Sequence, residues 1–254
     1  MSDELLRERR GKVEILTINR PDQRNAMNRS TALALDAALT EIESDKDVWA
    51  VVLTGAGDKA FCAGMDLKAF VTGEFPITEN GFGGMTTRSF AKPIIAACNG
   101  SALAGGLELM LSCDLVVTAD HAKFGIPEAA RGLIAGAGGL IRLPKRIPRA
   151  VALEMAMTAA PMDAARAYQV GLVNRVVPAE QVVGEAVALA EAITKNAPVA
   201  VAESKRIMLA AIDLTEDEAW EVNNAAFAKI GASPDAIEGA TAFAEKREPN
   251  WQVL

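Results

Sequence analysis

Apolar positions in the first half of the chain follow two spacings in turn. Val13, Ile15, Leu16 and Ile18 predict a strand. Ser30 is placed to cap a helical run carried by Leu33, Leu35, Ala38, Leu39 and Ile42, and VWAVVLTG at 48–55 reads as a buried strand. PIIAAC at 93–98 predicts another strand, closed by Asn99-Gly100; after the turn SALAGG come a helical run, LELMLSCD, and the strand-like LVVTA. Strands alternating with helices imply an α/β layered core. From about residue 145 the spacing becomes helical throughout, in IPRAVALEMAMT, DAARAYQV, AEQVVGEAVALAEAIT, PVAVAESKRIMLAAI and TEDEAWEVNNAAFAKI, interrupted only by GLVNRVV. The last helices are Ala-rich and amphipathic, start at Pro198 and Pro234, and suit packing against a neighbouring subunit as well as the core.

Composition narrows what such a chain can do. With 254 residues, half of them hydrophobic, it can bury a sizeable core. A net charge of -7 argues against a broad nucleic-acid footprint, although a small polyanion can still be held locally. Cys62, Cys98 and Cys113 form no C-x-x-C pair and point to a reducing compartment, so a cytoplasmic location is expected. The charged start MSDELLRERR lacks the apolar core of a signal peptide, and no stretch reaches the roughly 18 apolar residues of a membrane span. His121, the sole histidine, reads as an exposed turn residue and supplies no metal cluster on its own.

Four segments carry candidate chemistry: RNAMN at 24–28, AFCAGMDLKAF at 60–70, NGSALAGGLELMLSCD at 99–114 and FGIPEAARGLIAGAGG at 124–139. In the second, Gly64 follows a predicted strand and a helix is expected to open at Met65; in the third, Gly105 and Gly106 precede a helix. The first amides of such helices lack intrahelical acceptors, and two that converge make a site for a developing negative oxygen. Glu108 lies one helical turn after Gly105, about 4.5 Å along the axis, and Glu128 follows Pro127 at the start of the next predicted helix. Two carboxyls beside an oxyanion site suit general acid–base work on a carbon acid. The GAGG run, from Gly136, allows close backbone approach and can donate an amide to a bound water. Glycines before helices are commonly turn chemistry, and Glu108 in its apolar run has ion pairing to an arginine as its plain alternative. Asp66 and Asp114 fit caps or turns, and Cys62 and Cys113 fit the core. Dinucleotide, P-loop and serine-hydrolase motifs are absent.

In order, NRPDQRNAMN, AFCAGMDL, KPIIAACNGSALAGGLEL, CDLVVTADHAKFGIPEAARGLIAGAGG, GLVNRVV and EGATAFAEKREPNW resemble the enoyl-CoA hydratase/isomerase (crotonase) superfamily over essentially the whole chain. The resemblance implies a crotonase-like α/β fold, with a superhelical core of β-β-α units over 1–195 and a C-terminal α-helical oligomerisation region over 196–254 that builds a homotrimer or a dimer of trimers. It further implies an acyl-CoA thioester as substrate and no cofactor, with the thioester carbonyl held by the Met65 and Gly105 amides. Glu108 would activate water for attack at C3 and Glu128 would deliver a proton to C2; isomerase-like members typically replace the first acid, so retention of both favours hydration. Arg24, Ala26, Ala63, Asp66 and Leu67 map to the CoA-binding surface, and Lys246 and Arg247 to a phosphate contact across subunits.

Val71 to Arg88 is glycine-rich and predicts a mobile loop plus short helix beside the acyl group. With GMDLKAF, RLPKRIP and DAIEGATAFAEKREPNW, it is similar to the carnitinyl-CoA dehydratase-like branch and to hydratases of lipid or steroid side-chain breakdown. The alternatives on this fold are an enoyl-CoA isomerase in which Glu128 shuttles a proton, and a noncatalytic acyl-CoA-binding subunit.

Overall fold

The structure is a computed structural model and describes residues 3–252. In chain order the elements are β1 (Leu5–Arg10), β2 (Val13–Ile18), α1 (Arg29–Ser44), β3 (Ala50–Gly55), β4 (Ala60–Cys62), α2 (Leu67–Val71), β5 (Ile77–Thr78), β6 (Gly81–Phe82), β7 (Ile94–Cys98), β8 (Ser101–Leu103), α3 (Gly105–Leu111), β9 (Leu115–Ala119) and β10 (Lys123–Gly125). A 3-10 turn (Pro127–Arg131) leads to α4 (Gly139–Arg146), α5 (Arg149–Thr158), β11 (Met162–Asp163), α6 (Ala164–Gln169), β12 (Arg175–Val177), α7 (Val182–Thr194), α8 (Pro198–Ala210), α9 (Glu216–Gly231) and α10 (Pro234–Glu245).

Six strands form one sheet in the order β1-β2-β3-β7-β9-β12, and four form a second in the order β11-β10-β8-β4. Each of β3, β7 and β9 lies in the first sheet and is followed by a short strand in the second, β4, β8 or β10, and then by a helical turn. The β-β-α unit is therefore repeated three times. Because β4, β8 and β10 pair in parallel, their carboxyl ends lie side by side, the position where open α/β sheets bind ligands. The segments leaving those ends begin at Ala63, Ala104 and Ile126.

Local differences from the sequence pattern have physical causes. LLRERR gives no apolar alternation, yet it forms β1 as an edge strand with exposed side chains from Leu6 onward. Arg7 and Arg9 donate to the buried Glu14 at 2.8 and 3.1 Å. The cap of α1 is Asn28, not Ser30: its side chain accepts the Thr31 amide at 2.8 Å, while Leu33 turns outward and Leu35, Ala38, Leu39 and Ile42 are buried. The first half of SALAGG is β8, too short at three residues to show a period of two. Residues 71–88 hold the end of α2 and the β5-β6 hairpin, with Ile77 opposite Phe82. Pro198 and Pro234 do occupy first helical positions.

Candidate active site

At the end of β4, Gly64 adopts φ +96, and a Cβ there would lie 3.1 Å from the Gly105 nitrogen and 2.9 Å from the Ala104 Cβ. Only a glycine lets these two segments approach so closely. No helix opens at Met65, contrary to the sequence expectation: Asp66 caps α2 by accepting the Lys68 amide at 3.0 Å. Met65 instead pairs in parallel with Met27, through Met27 N to Gly64 O at 2.8 Å and Asp66 N to Met27 O at 2.9 Å. Since amides alternate sides in extended chain, the Met65 N–H points away from Met27. Gly105 opens α3, so its amide has no acceptor within the helix. It follows Ala104, which holds φ 52 and ψ -131, a strained conformation for a residue with a Cβ. A Cβ on Gly105 would meet the Phe82 ring at 2.6 Å, and one on Gly106 would meet the Cys62 carbonyl oxygen at 1.9 Å.

Glu108, one turn into α3, is 3% exposed. Its Oε1 accepts the Ala137 amide at 2.7 Å and the Gly139 amide at 2.9 Å, so backbone donors, not a paired arginine, satisfy it. These are the GAGG amides that the sequence assigned to a bound water; they reach the carboxylate, and Gly136 is exposed at the start of the turn. Burial pushes the Glu108 carboxyl above its ordinary pKa, while the two amides and the Arg142 charge pull it back. Glu128 stands in the 3-10 turn, not in an α-helix. Burial raises its pKa too; its own amide and the Arg131 charge lower it, and the Glu108 charge raises it further. Its Oε2 is buried with no hydrogen-bond partner among the described residues. The Glu108 charge, felt at Glu128, disfavours ionising both together. That suits one acid and one base in a single site.

The structure also brings the expected CoA residues together. Ala63 donates its amide to the Arg24 carbonyl at 3.1 Å, aligning Arg24–Met27 with Ala63–Asp66. Arg24 and Leu67 are exposed and Ala26 is buried. The Asp66 carboxylate is engaged, with Oδ2 accepting from Arg20 at 2.9 Å and Oδ1 capping α2, and its backbone is engaged as well, the amide with the Met27 carbonyl and the carbonyl with the Phe70 amide. Buried Asn25 ties this surface to the core by donating to the Ala60 carbonyl at 2.7 Å. Lys246 is exposed, whereas Arg247 is paired with Glu238 at 2.6 Å. Burial pushes the Cys62 and Cys113 thiols up to about 12, which removes them as nucleophiles. His121 is an exposed turn residue 2.8 Å from the Asp58 carbonyl oxygen. Among the described residues no three His, Cys, Asp or Glu side chains gather as metal ligands, and no helix is long and apolar enough to cross a membrane.

The sequence placed Phe82 within the 71–88 stretch and Ala137 and Gly139 within the GAGG run without assigning them these contacts, and it gave Arg142 no place in the site. The signal for Arg142 lay in the GAGG run, whose glycines clear space for the Glu108 carboxylate and for a guanidinium.

A stack of β-β-α units with a buried and a half-buried carboxyl, both of raised pKa, beside the Gly105 amide that opens α3 is the architecture of an acid–base enzyme acting on an oxyanion-forming substrate. The enoyl-CoA hydratase/isomerase family model matches residues 8–253, and the chain belongs to that family, in the crotonase superfamily. The carnitinyl-CoA dehydratase of Proteus mirabilis is 39% identical over 260 residues, covering 99% of each chain. The crystal structure of an enoyl-CoA hydratase from Mycobacterium tuberculosis superposes with a TM-score of 0.96 at 45% identity, covering 100% of each chain. That of a carnitinyl-CoA hydratase from Mycobacterium avium does so with a TM-score of 0.81 at 48% identity, again covering 100% of each. The crotonase-like α/β fold expected from the sequence motifs is thus the fold of the chain.

Proposed function

We propose that the protein is an enoyl-CoA hydratase, a hydro-lyase that reversibly adds water across the 2,3 double bond of a 2-enoyl-CoA thioester. The observation that carries this reading is the unequal fixing of the two carboxyls: Glu108 Oε1 is tied to two amides, and Glu128 Oε2 is buried and unpaired. With Oε1 anchored, Glu108 presents Oε2 to a water and takes its proton as hydroxide adds at C3. Glu128, whose pKa is raised, gives its proton to C2. The negative charge in between collects on the thioester oxygen, which the Met65 and Gly105 amides hold; each such donor is worth ~3 kcal/mol. Each turnover leaves Glu108 protonated and Glu128 ionised; loss of one proton from Glu108 to solvent and gain of one by Glu128 reset the pair, so the reaction calls for no cofactor or metal.

Arg24, Ala26, Ala63, Asp66 and Leu67 form the surface for the CoA moiety, Asp66 by holding Arg20 and the start of α2 in place. Residues 1–195 make the catalytic core and 196–254 the assembly region, through which chains form a homotrimer or a dimer of trimers. Exposed Met208, Phe227 and Phe243 on α8, α9 and α10 support that assembly. Three free cysteines fit a cytoplasmic location. A carnitinyl-CoA dehydratase reading is the second, favoured by a relative so named and by a similar structure named a carnitinyl-CoA hydratase, and it uses the same C2–C3 water chemistry.

Crotonyl-CoA and carnitinyl-CoA, followed by enoyl-thioester absorbance and by mass, test the assignment. Hydration of crotonyl-CoA is expected; faster loss of water from carnitinyl-CoA would select the second reading. Conversion of a 3-enoyl-CoA without water uptake would make the protein an isomerase.

A further inference from the structure

Arg142, at the fourth position of α4, runs back across the turn that precedes its own helix. The backbone leaves a slot for it: Gly138 holds φ +110, and a Cβ there would stand 2.1 Å from the Arg142 Nη1. From that slot Nη1 donates to the Ala137 carbonyl at 3.4 Å, and Nη2 donates to the Thr86 carbonyl. Each carbonyl leads to one half of the site. Ala137 is the residue whose amide donates to Glu108 Oε1 at 2.7 Å. Thr86, itself buried, accepts the Phe82 amide through Oγ1 at 2.8 Å, and the Phe82 ring packs against Gly105. One guanidinium thus closes a chain of contacts from the Glu108 carboxylate to the Gly105 backbone.

We propose that Arg142 is a positioning residue for water addition, bracing the Ala137–Gly139 turn against the Gly81–Arg88 turn so that Glu108 and the Gly105 amide keep a fixed relation. The role rests on the reading that Glu108 is the base and Gly105 an oxyanion donor. A planar, always charged fork suits it: two carbonyls on different segments are bridged by one rigid group, which the point charge of lysine cannot reproduce. Bringing that group half inside the protein opposes its charge by desolvation, and the Glu108 carboxylate offsets this.

The brace is distinguished from a residue that merely packs by two measurements on Arg142→Gln and Arg142→Lys. The first is amide hydrogen exchange, by mass spectrometry without substrate, over 132–141 and 80–88. Faster exchange in both segments in both variants is expected; exchange unchanged in both segments overturns the brace whether or not the protein turns over any enoyl-CoA. The second is the pH profile of kcat with crotonyl-CoA. The charge acting on Glu108 is that of Arg142, and those acting on Glu128 are Glu108 and Arg131, so losing Arg142 in the Gln variant raises the Glu108 pKa and moves the acid limb to higher pH. Arg142→Lys keeps the charge and is expected to hold the limb in place while kcat still falls tenfold or more and KM stays within about threefold. Full activity in the Lys variant overturns the requirement for the fork. Should the Gln variant fail to fold, the Lys variant alone decides by exchange and kcat. If wild type shows no hydration, the functional reading fails and the exchange result still judges the brace.

Discussion

Gly139 donates its amide to Glu108 Oε1 at 2.9 Å, and a Cβ on Gly139 would lie 3.1 Å from that same oxygen. The position has an ordinary helical place at the start of α4, so Gly139→Ala should not harm the helix itself, where alanine is the better residue. It should push the carboxylate by a few tenths of an ångström and lengthen both amide bonds. The expected outcome is a loss of kcat of about tenfold or more, since small displacements of a reacting group are costly, with a melting temperature within a few degrees of wild type. Steady-state kinetics beside thermal denaturation check it; unchanged kcat would show that this amide does not govern the carboxylate.

The two carboxyls set the pH response. Both pKa values are raised, chiefly by burial. A base must be ionised, so kcat/KM should fall as pH drops, with its midpoint above the ~4.3 of an ordinary glutamate. The stability sign follows from the same shift. A folded-state pKa above the unfolded value means the native protein holds protons the unfolded chain has lost, so stability declines as pH rises between the two values. Glu128→Gln removes that decline. Its melting temperature relative to wild type should therefore rise between pH 4 and pH 8, and a difference flat across that range would contradict the raised pKa of Glu128.

Gly105→Ala places a Cβ 2.6 Å from the Phe82 ring. Overpacking of this kind costs about 1–3 kcal/mol, and here it also shifts the amide proposed to hold the thioester oxygen. Denaturant unfolding should show the lost stability, and Phe82→Leu in the same chain should recover part of it. Simple additivity of the two substitutions would mean the ring and the glycine do not compete for space.

How far the site could be read from sequence depended on whether its residues carry an apolar or glycine signal. Glu108 stood out because it interrupts LAGGLELMLSC, and β3, β7 and β9 because each is a continuous buried run. The short strands β4, β8 and β10 have three residues each, fewer than a period-two pattern needs, although they align the three segments that leave their ends. Met65 was misread as a helix start because a bridge to Met27, 38 positions away, fixes its backbone, and local sequence does not record such a partner. Arg142 lies in an amphipathic stretch broken by Pro144, so nothing nearby marks its charge as belonging to the site. The C-terminal helices were legible from Pro198, Pro234 and their helical spacing.

Assembly gives a separate test. Phe227 and Phe243 are 78% and 88% exposed on α9 and α10, two large apolar side chains suited to a contact between chains. Light scattering after size exclusion should return three or six times the 26.7 kDa chain mass. Phe227→Glu combined with Phe243→Glu should reduce it, and a monomeric wild type would remove the trimer from the account.

The most direct test of the whole account is the rate of crotonyl-CoA hydration in Glu108→Gln and in Glu128→Gln, measured with the dissociation constant for a saturated acyl-CoA. If both carboxyls carry protons in the reaction, each variant loses about 10²- to 10⁴-fold in kcat while acyl-CoA binding stays within a few-fold. Hydration within tenfold of wild type in either variant, with binding intact, would contradict the two-carboxylate mechanism.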